Sequence, residues 1–132
     1  MSYRFDGPSD VLTAHTTDHD GVAVVALTGE VDMLTEGIGL DEVLAAVEKS
    51  PAALVVDLQA VGFFGSSGIN LLLVARREAE ARKIPLAVVA EHHVVLSPLA
   101  ATGVDLRLRL FPDLAAALRD VEFPLRAESP TS

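Results

Sequence analysis

The sequence predicts an α/β domain in which a mixed sheet of four to five strands is packed with about four helices. Apolar runs of strand length recur at Val22–Leu27, Leu54–Leu58 and Leu86–Ala90, and each is near-continuous, as strands covered on both faces require. Segments between them carry apolar residues at helical spacing. Strand and helix patterns alternate in this way from residue 22 to 121, the order of a layered α/β fold. The 132 residues fit one domain, and a chain near that size buries roughly 68% of its extended surface. The sequence carries no internal repeat.

Taken in order, residues 1–10 read as a loose arm with a turn at Gly7-Pro8. Val11 to Thr17 is a first strand, and Asp18-His19-Asp20-Gly21 has the content of a hairpin loop, so the chain should open on an antiparallel hairpin with Val22–Leu27. An acidic loop, Gly29-Glu30-Val31-Asp32, follows. Thr35 is placed to cap a first helix, with Glu36 near its positive end and a stripe of Leu40, Val43, Leu44 and Val47. Ser50-Pro51 ends it. The strand Leu54–Leu58 leads to a tight turn where Gly65 and Gly68 bracket Ser66 and Ser67, and Ile69, Leu72 and Leu73 continue at helical spacing to about Arg82.

Glu78 and Arg82 can pair across one turn of that helix, and Arg76, Arg77, Arg82 and Lys83 read as a solvated face offsetting its negative end rather than a docking site for an acidic partner. Ile84-Pro85 breaks the helix, and Leu86–Ala90 completes a right-handed βαβ unit. Pro98 fits the first position of a short helix capped by Ser97 and ended by Thr102-Gly103. Leu106-Arg107-Leu108-Arg109-Leu110 alternates as an edge strand does, and Pro112-Asp113 starts a last helix through about Val121. Residues 122–132 read as a flexible tail.

Composition narrows the function. A net charge of −9 repels nucleic acid and anionic lipid. No cysteine is present, so disulfides, thiol redox chemistry and thiolate metal sites are excluded. No stretch has the length of a signal peptide's apolar core at the start or of a membrane span anywhere, so a cytoplasmic protein is expected. A mean hydropathy of +0.39 points to an exposed apolar patch used by a partner.

Enzyme chemistry finds no foothold. A serine-hydrolase elbow needs glycine where Ile69 stands, and none of His15, His19, His92 or His93 sits in a motif marking a catalytic base. Neither Lys49 nor Lys83 follows a glycine, so there is no phosphate-binding loop of the Gly-Lys-Ser/Thr kind. The adjacent His92 and His93 lack a third ligand, so no metal or other cofactor is expected. The serines of the turn fit three roles by chemistry alone: helix cap, nucleophile, or phosphate acceptor at a helix start that favours an anion by ~0.3–2 kcal/mol.

The stretch from Leu54 through Gly65-Ser66-Ser67-Gly68-Ile69 resembles the signature of STAS domains of the anti-sigma factor antagonist kind, in which a buried strand ends in an Asp-Ser-Ser-Gly-type turn before a helix. Gly29-Glu30-Val31-Asp32 resembles the family's Gly-Glu-apolar-Asp loop, and Thr102-Gly103-Val104 its Thr-Gly-apolar segment. The resemblance covers residues 11–121 and implies a single stand-alone STAS-like domain. It also implies that Glu30, Asp32, Ser66, Ser67, Gly68, Ile69, Thr102 and Gly103 bind an anti-sigma factor that is a serine kinase, releasing a sigma factor.

By the same resemblance Ser67 is the phosphorylated serine, with Ser66 the second choice, a serine phosphatase would reverse the modification, and a weak homodimer is compatible. A phosphoserine carries about −1.5 to −2 charges, so a partner packed on the turn would have to desolvate it; the unphosphorylated form should bind. Gly65 replaces the family's acidic residue. That change either removes a group that orients the serine or lessens repulsion against a phosphate. Two other readings stay open: a constitutive unphosphorylated scaffold, and a domain that binds a small ligand or nucleotide.

Overall fold

The computed structural model describes residues 11–128, with side chains to residue 122, so the expected arm at 1–10 and residues 129–132 lie outside the described residues. The chain opens on a hairpin of β1 (Thr13–His19) and β2 (Val22–Val31). His19 pairs with Val22, which leaves a two-residue turn, and Asp20 (φ 54°) and Gly21 (φ 91°) both take the left-handed backbone that such a turn needs. Then follow α1 (Glu36–Glu48), β3 (Ala53–Phe64), α2 (Ser66–Ala81), β4 (Leu86–Val89), α3 (His93–Thr102), β5 (Leu110–Phe111) and α4 (Leu114–Glu128). The five strands lie in chain order, with β1 antiparallel to β2 and every later pair parallel.

Successive right-handed crossovers that step in one direction must put their helices on one face of the sheet. α1, α2 and α3 do share one face, where Val43, Val47, Leu71, Leu72, Ala75, Val95 and Leu99 meet Val25, Leu27, Leu54, Val56 and Val88. α4 follows the last strand and covers the other face, packing Ala117 and Val121 on Val22, Val24, Val55 and Val89. The parallel strands are therefore buried on both faces, which is why their sequences read as unbroken apolar runs.

β3 is far longer than the five residues expected. Against β2 it carries one extra residue between Asp57 and Ala60 and another between Val61 and Phe63. Each bulge reverses the alternation, so Leu58, Val61 and Phe64, three apart, all point into the same core. β2 is also extended, through Gly29-Glu30-Val31, which were expected in a loop. Gly29 lies at φ 120°, and a Cβ there would come within 2.3 Å of the Val11 carbonyl oxygen, so only glycine fits.

Further expectations are corrected. α3 begins at His93, and Pro98 lies inside it instead of at its start. Burying both Val95 and Leu99 needs a helix that starts before the proline, and that packing outweighs the amide that Pro98 cannot give to the Val94 carbonyl. The alternating Leu106–Leu110 stretch is not a strand. Gly103 turns the chain through a left-handed residue (φ 76°) into a 3₁₀ turn over Val104–Arg107, which buries Val104 and leaves Leu106 88% exposed. Only Leu110–Phe111 remains to pair with β4.

On α2 the ion pair formed is Arg76–Glu80, at 3.1 Å, in place of Glu78–Arg82. α4 is capped by Asp113, whose Oδ1 accepts the Ala116 amide at 2.8 Å, and it continues past Val121 to Glu128.

Candidate functional site

Parallel pairing puts the carboxyl ends of β2 and β3 side by side, with Val31 opposite Phe64. The Gly65 amide donates to the Val31 carbonyl at 3.3 Å, so the chain leaving β3 is stitched to the chain leaving β2. The two loops form one platform.

Thr35 organises its β2 side. Expected as a helix cap, it makes no capping bond to α1. Its side chain is instead buried, donating from Oγ1 to the Glu30 carbonyl at 2.7 Å and accepting the Asp32 amide at 3.0 Å. Asp32 turns its carboxylate onto its own loop, where Oδ1 accepts the amides of Leu34 (2.9 Å) and Thr35 (3.1 Å). Asp32 thus shapes the loop. Glu30 is placed elsewhere: Val31 points into the helix-side core, so the alternation of β2 sends Glu30 to the opposite face, into a hollow of about 420 Å³ with Val11, Thr13, Thr28 and Gly62.

The β3 side is the serine turn. Gly65 holds the N-cap position of α2 with an extended backbone (φ −96°, ψ −159°), so Ser66 and Ser67 are the first two helical residues and neither is the cap. Among the described residues neither hydroxyl has a hydrogen-bond partner in the protein. Ser66 is exposed and Ser67 half-buried. Their amides lie in the first turn, where a helix has no internal acceptors to offer, and that turn carries no acidic residue of its own. Gly68 is packed tightly: a Cβ there would fall 2.4 Å from the Phe64 ring. Asn70 donates to Glu36 and ties α2 to α1.

A groove of about 460 Å³ runs between α2 and α3, lined by Gly65, Ser66, Ile69, Asn70 and Leu73 on one wall and Pro98, Ala101 and Thr102 on the other. Thr102 turns its hydroxyl back to the Pro98 carbonyl at 2.8 Å, and Gly103 ends α3. The structure therefore brings together Ser66, Ile69 and Thr102 in this groove, with Ser67 and Gly68 on the adjoining turn, Asp32 on the neighbouring loop and Gly103 just beyond the far wall. Glu30 is kept apart from them on the other face.

The platform also holds apolar residues that were not singled out in the sequence. Met33 (81% exposed) and Leu34 (88%) lie on the loop after β2, Ile38 (44%) in the first turn of α1, and Phe63 (49%) at the end of β3 with its ring beside Gly65. The hydropathy announced a patch without locating it. The available signal was Met33-Leu34, an apolar pair between a strand end and a helix start that belongs to neither period. Among the described residues no group of three or more His, Asp or Glu side chains could hold a metal, and no helix is long and apolar enough to cross a membrane.

A five-stranded mixed sheet with three helices on one face, a fourth on the other and a serine turn starting the second helix defines the class of protein. The family model described as the STAS domain matches residues 13–117, and the chain belongs to that family. It is 38% identical over 112 residues to the anti-sigma-F factor antagonist RsfB of Mycobacterium tuberculosis, covering 85% of this chain and 91% of that one. The crystal structure of an anti-sigma factor antagonist from Mycobacterium paratuberculosis superposes with a TM-score of 0.80 at 37% identity, over 89% of this chain and 99% of that one. The phosphorylated form of the Bacillus cell-fate determinant SpoIIAA shares the fold alone, with a TM-score of 0.62 at 17% identity over 81% of this chain and 98% of that one.

Proposed function

We propose that this chain is an anti-sigma factor antagonist: it binds an anti-sigma factor that is a serine kinase and so frees a sigma factor, in the cytoplasm and without catalysis of its own. Supporting the reading are the 38% identity to one antagonist and the 37% identity to another whose structure superposes along most of the chain. The observation that carries the mechanism is a pair of serine hydroxyls without a hydrogen-bond partner among the described residues, at a helix start with no acidic residue in its first turn and next to an exposed apolar rim.

In this mechanism the partner covers Met33, Leu34 and Phe63 and closes over the serine turn, with Asp32 holding the loop and Ile69, Gly68, Thr102 and Gly103 forming the groove side. Ser67 is the residue that the kinase modifies, with Ser66 second, and a serine phosphatase reverses the change. A phosphate at this helix start is tolerated by the folded chain, because the free amides and the dipole favour it. Its effect falls on the interface, where a dianion would be stripped of water against an apolar surface. With Gly65 at the N-cap, neither the cap nor the first turn of α2 supplies a carboxylate to repel the phosphate.

The test is incubation with the purified anti-sigma factor and ATP, followed by mass mapping of the modified serine and measurement of complex formation. Phosphate on Ser67 and loss of the complex are the expected results. Phosphate on Ser66 would move the switch to the groove wall. A complex that forms without any modification would make this a constitutive antagonist.

A further inference from the structure

A second hollow, of about 230 Å³, lies at the other end of α2, where Arg76, Ala79 and Glu80 face Ile84-Pro85-Leu86 and the segment Arg107-Leu108-Arg109. By the rise of an α-helix, Arg76 sits ~15 Å along the axis from the serine turn. In a chain of net charge −9 with only ten lysines and arginines, three arginines from two separate segments line this one depression.

Two of the three are balanced: Arg76 pairs with Glu80, and Arg109 with Asp120. Arg107 has no ion-pair partner among the described residues. The site therefore has one unanswered positive charge, and its guanidinium offers the fork of donors that suits a planar carboxylate. The floor is apolar, made by buried Ala79 and Ile84 with Leu86 and Leu108 beside them. The volume accommodates about seven water-sized groups.

We propose that this hollow binds a monocarboxylate carrying a short apolar body, with Arg107 as the principal anion contact and with Arg76 and Arg109, each already held by a carboxylate, as part of the lining. A single unbalanced cation matches one negative charge better than the two of a phosphate monoester, against which Glu80 would also stand. The chemistry is shared by a free short-chain acid and by the terminal carboxylate of a peptide ending in an apolar residue. The proposal does not rest on the antagonist reading, and occupancy is independent of the serine turn.

The test is thermal unfolding of the full chain with four probes: hexanoate, acetyl-Ala-Leu with a free carboxylate, the amide of the same peptide, and inorganic phosphate. Either carboxylate at tenfold over its Kd should raise the Tm by about 3–6 °C and saturate. The amide and phosphate should leave it unmoved, and Arg107→Ala should abolish the shift while Ser67→Glu keeps it. A larger effect of hexanoate assigns the site to a free acid, and a larger effect of the peptide assigns it to a protein C-terminus. No saturable shift with either carboxylate, an equal shift with the amide or phosphate, or a shift that survives Arg107→Ala overturns the proposal.

Discussion

Thr35 shows how much of the candidate face depends on one side chain. Its buried hydroxyl serves a carbonyl and an amide at the end of β2. Thr35→Ala should lower stability by about 2 kcal/mol in urea unfolding, because two backbone groups lose a partner, whereas Thr35→Ser should lose under about 1 kcal/mol. The two glycines of the serine turn should separate in the same assay. Gly68→Ala drives a methyl into the Phe64 ring and should destabilise by about 1–3 kcal/mol. Gly65→Ala meets only the outer edge of the Phe63 ring at 3.3 Å, with no backbone strain, and should be near neutral. Sequence spacing located Ser66, Ser67 and Gly68 correctly on a strand-to-helix turn. It could not assign the cap, because serine and glycine both suit that position.

At the scale of elements, legibility followed periodicity. β4 and the parallel βαβ core were readable because double burial leaves unbroken apolar runs. The far half of β3 is not legible in the sequence, because two bulges turn a period of two into apolar residues three apart, a pattern that no regular strand has. α3 was misplaced because proline chemistry favours a helix start, while Val95 and Leu99 had to be buried together. That conflict has a measurable consequence. Pro98→Ala restores an amide opposite the Val94 carbonyl and should stabilise the chain by about 1 kcal/mol or more, read as a rise in Tm. No gain would mean that the ring's packing in the groove with Leu73 and Ile69 compensates for the missing bond.

Across the whole molecule, the sheet collects the loops after β2 and β3 at one end and leaves an apolar rim there on a chain otherwise rich in acids. Leu34→Asp should test whether that rim is an interface, since Leu34 is 88% exposed and supports no core contact. Its unfolding should stay within about 0.5 kcal/mol of the parent, while binding of the anti-sigma factor weakens by roughly 10–100-fold. A fall in stability without a change in binding would remove the rim from the interface.

The most direct measurement of the switch is the affinity of the purified anti-sigma factor, by calorimetry, for the parent chain, Ser67→Ala and the chain stoichiometrically phosphorylated on Ser67. The parent and the alanine variant should bind within about threefold of each other, and the phosphorylated form at least roughly 100-fold more weakly, about 2.7 kcal/mol. Equal affinity of the phosphorylated and parent forms would contradict the account, since the dianion would then carry no penalty at the face where the partner is held to sit.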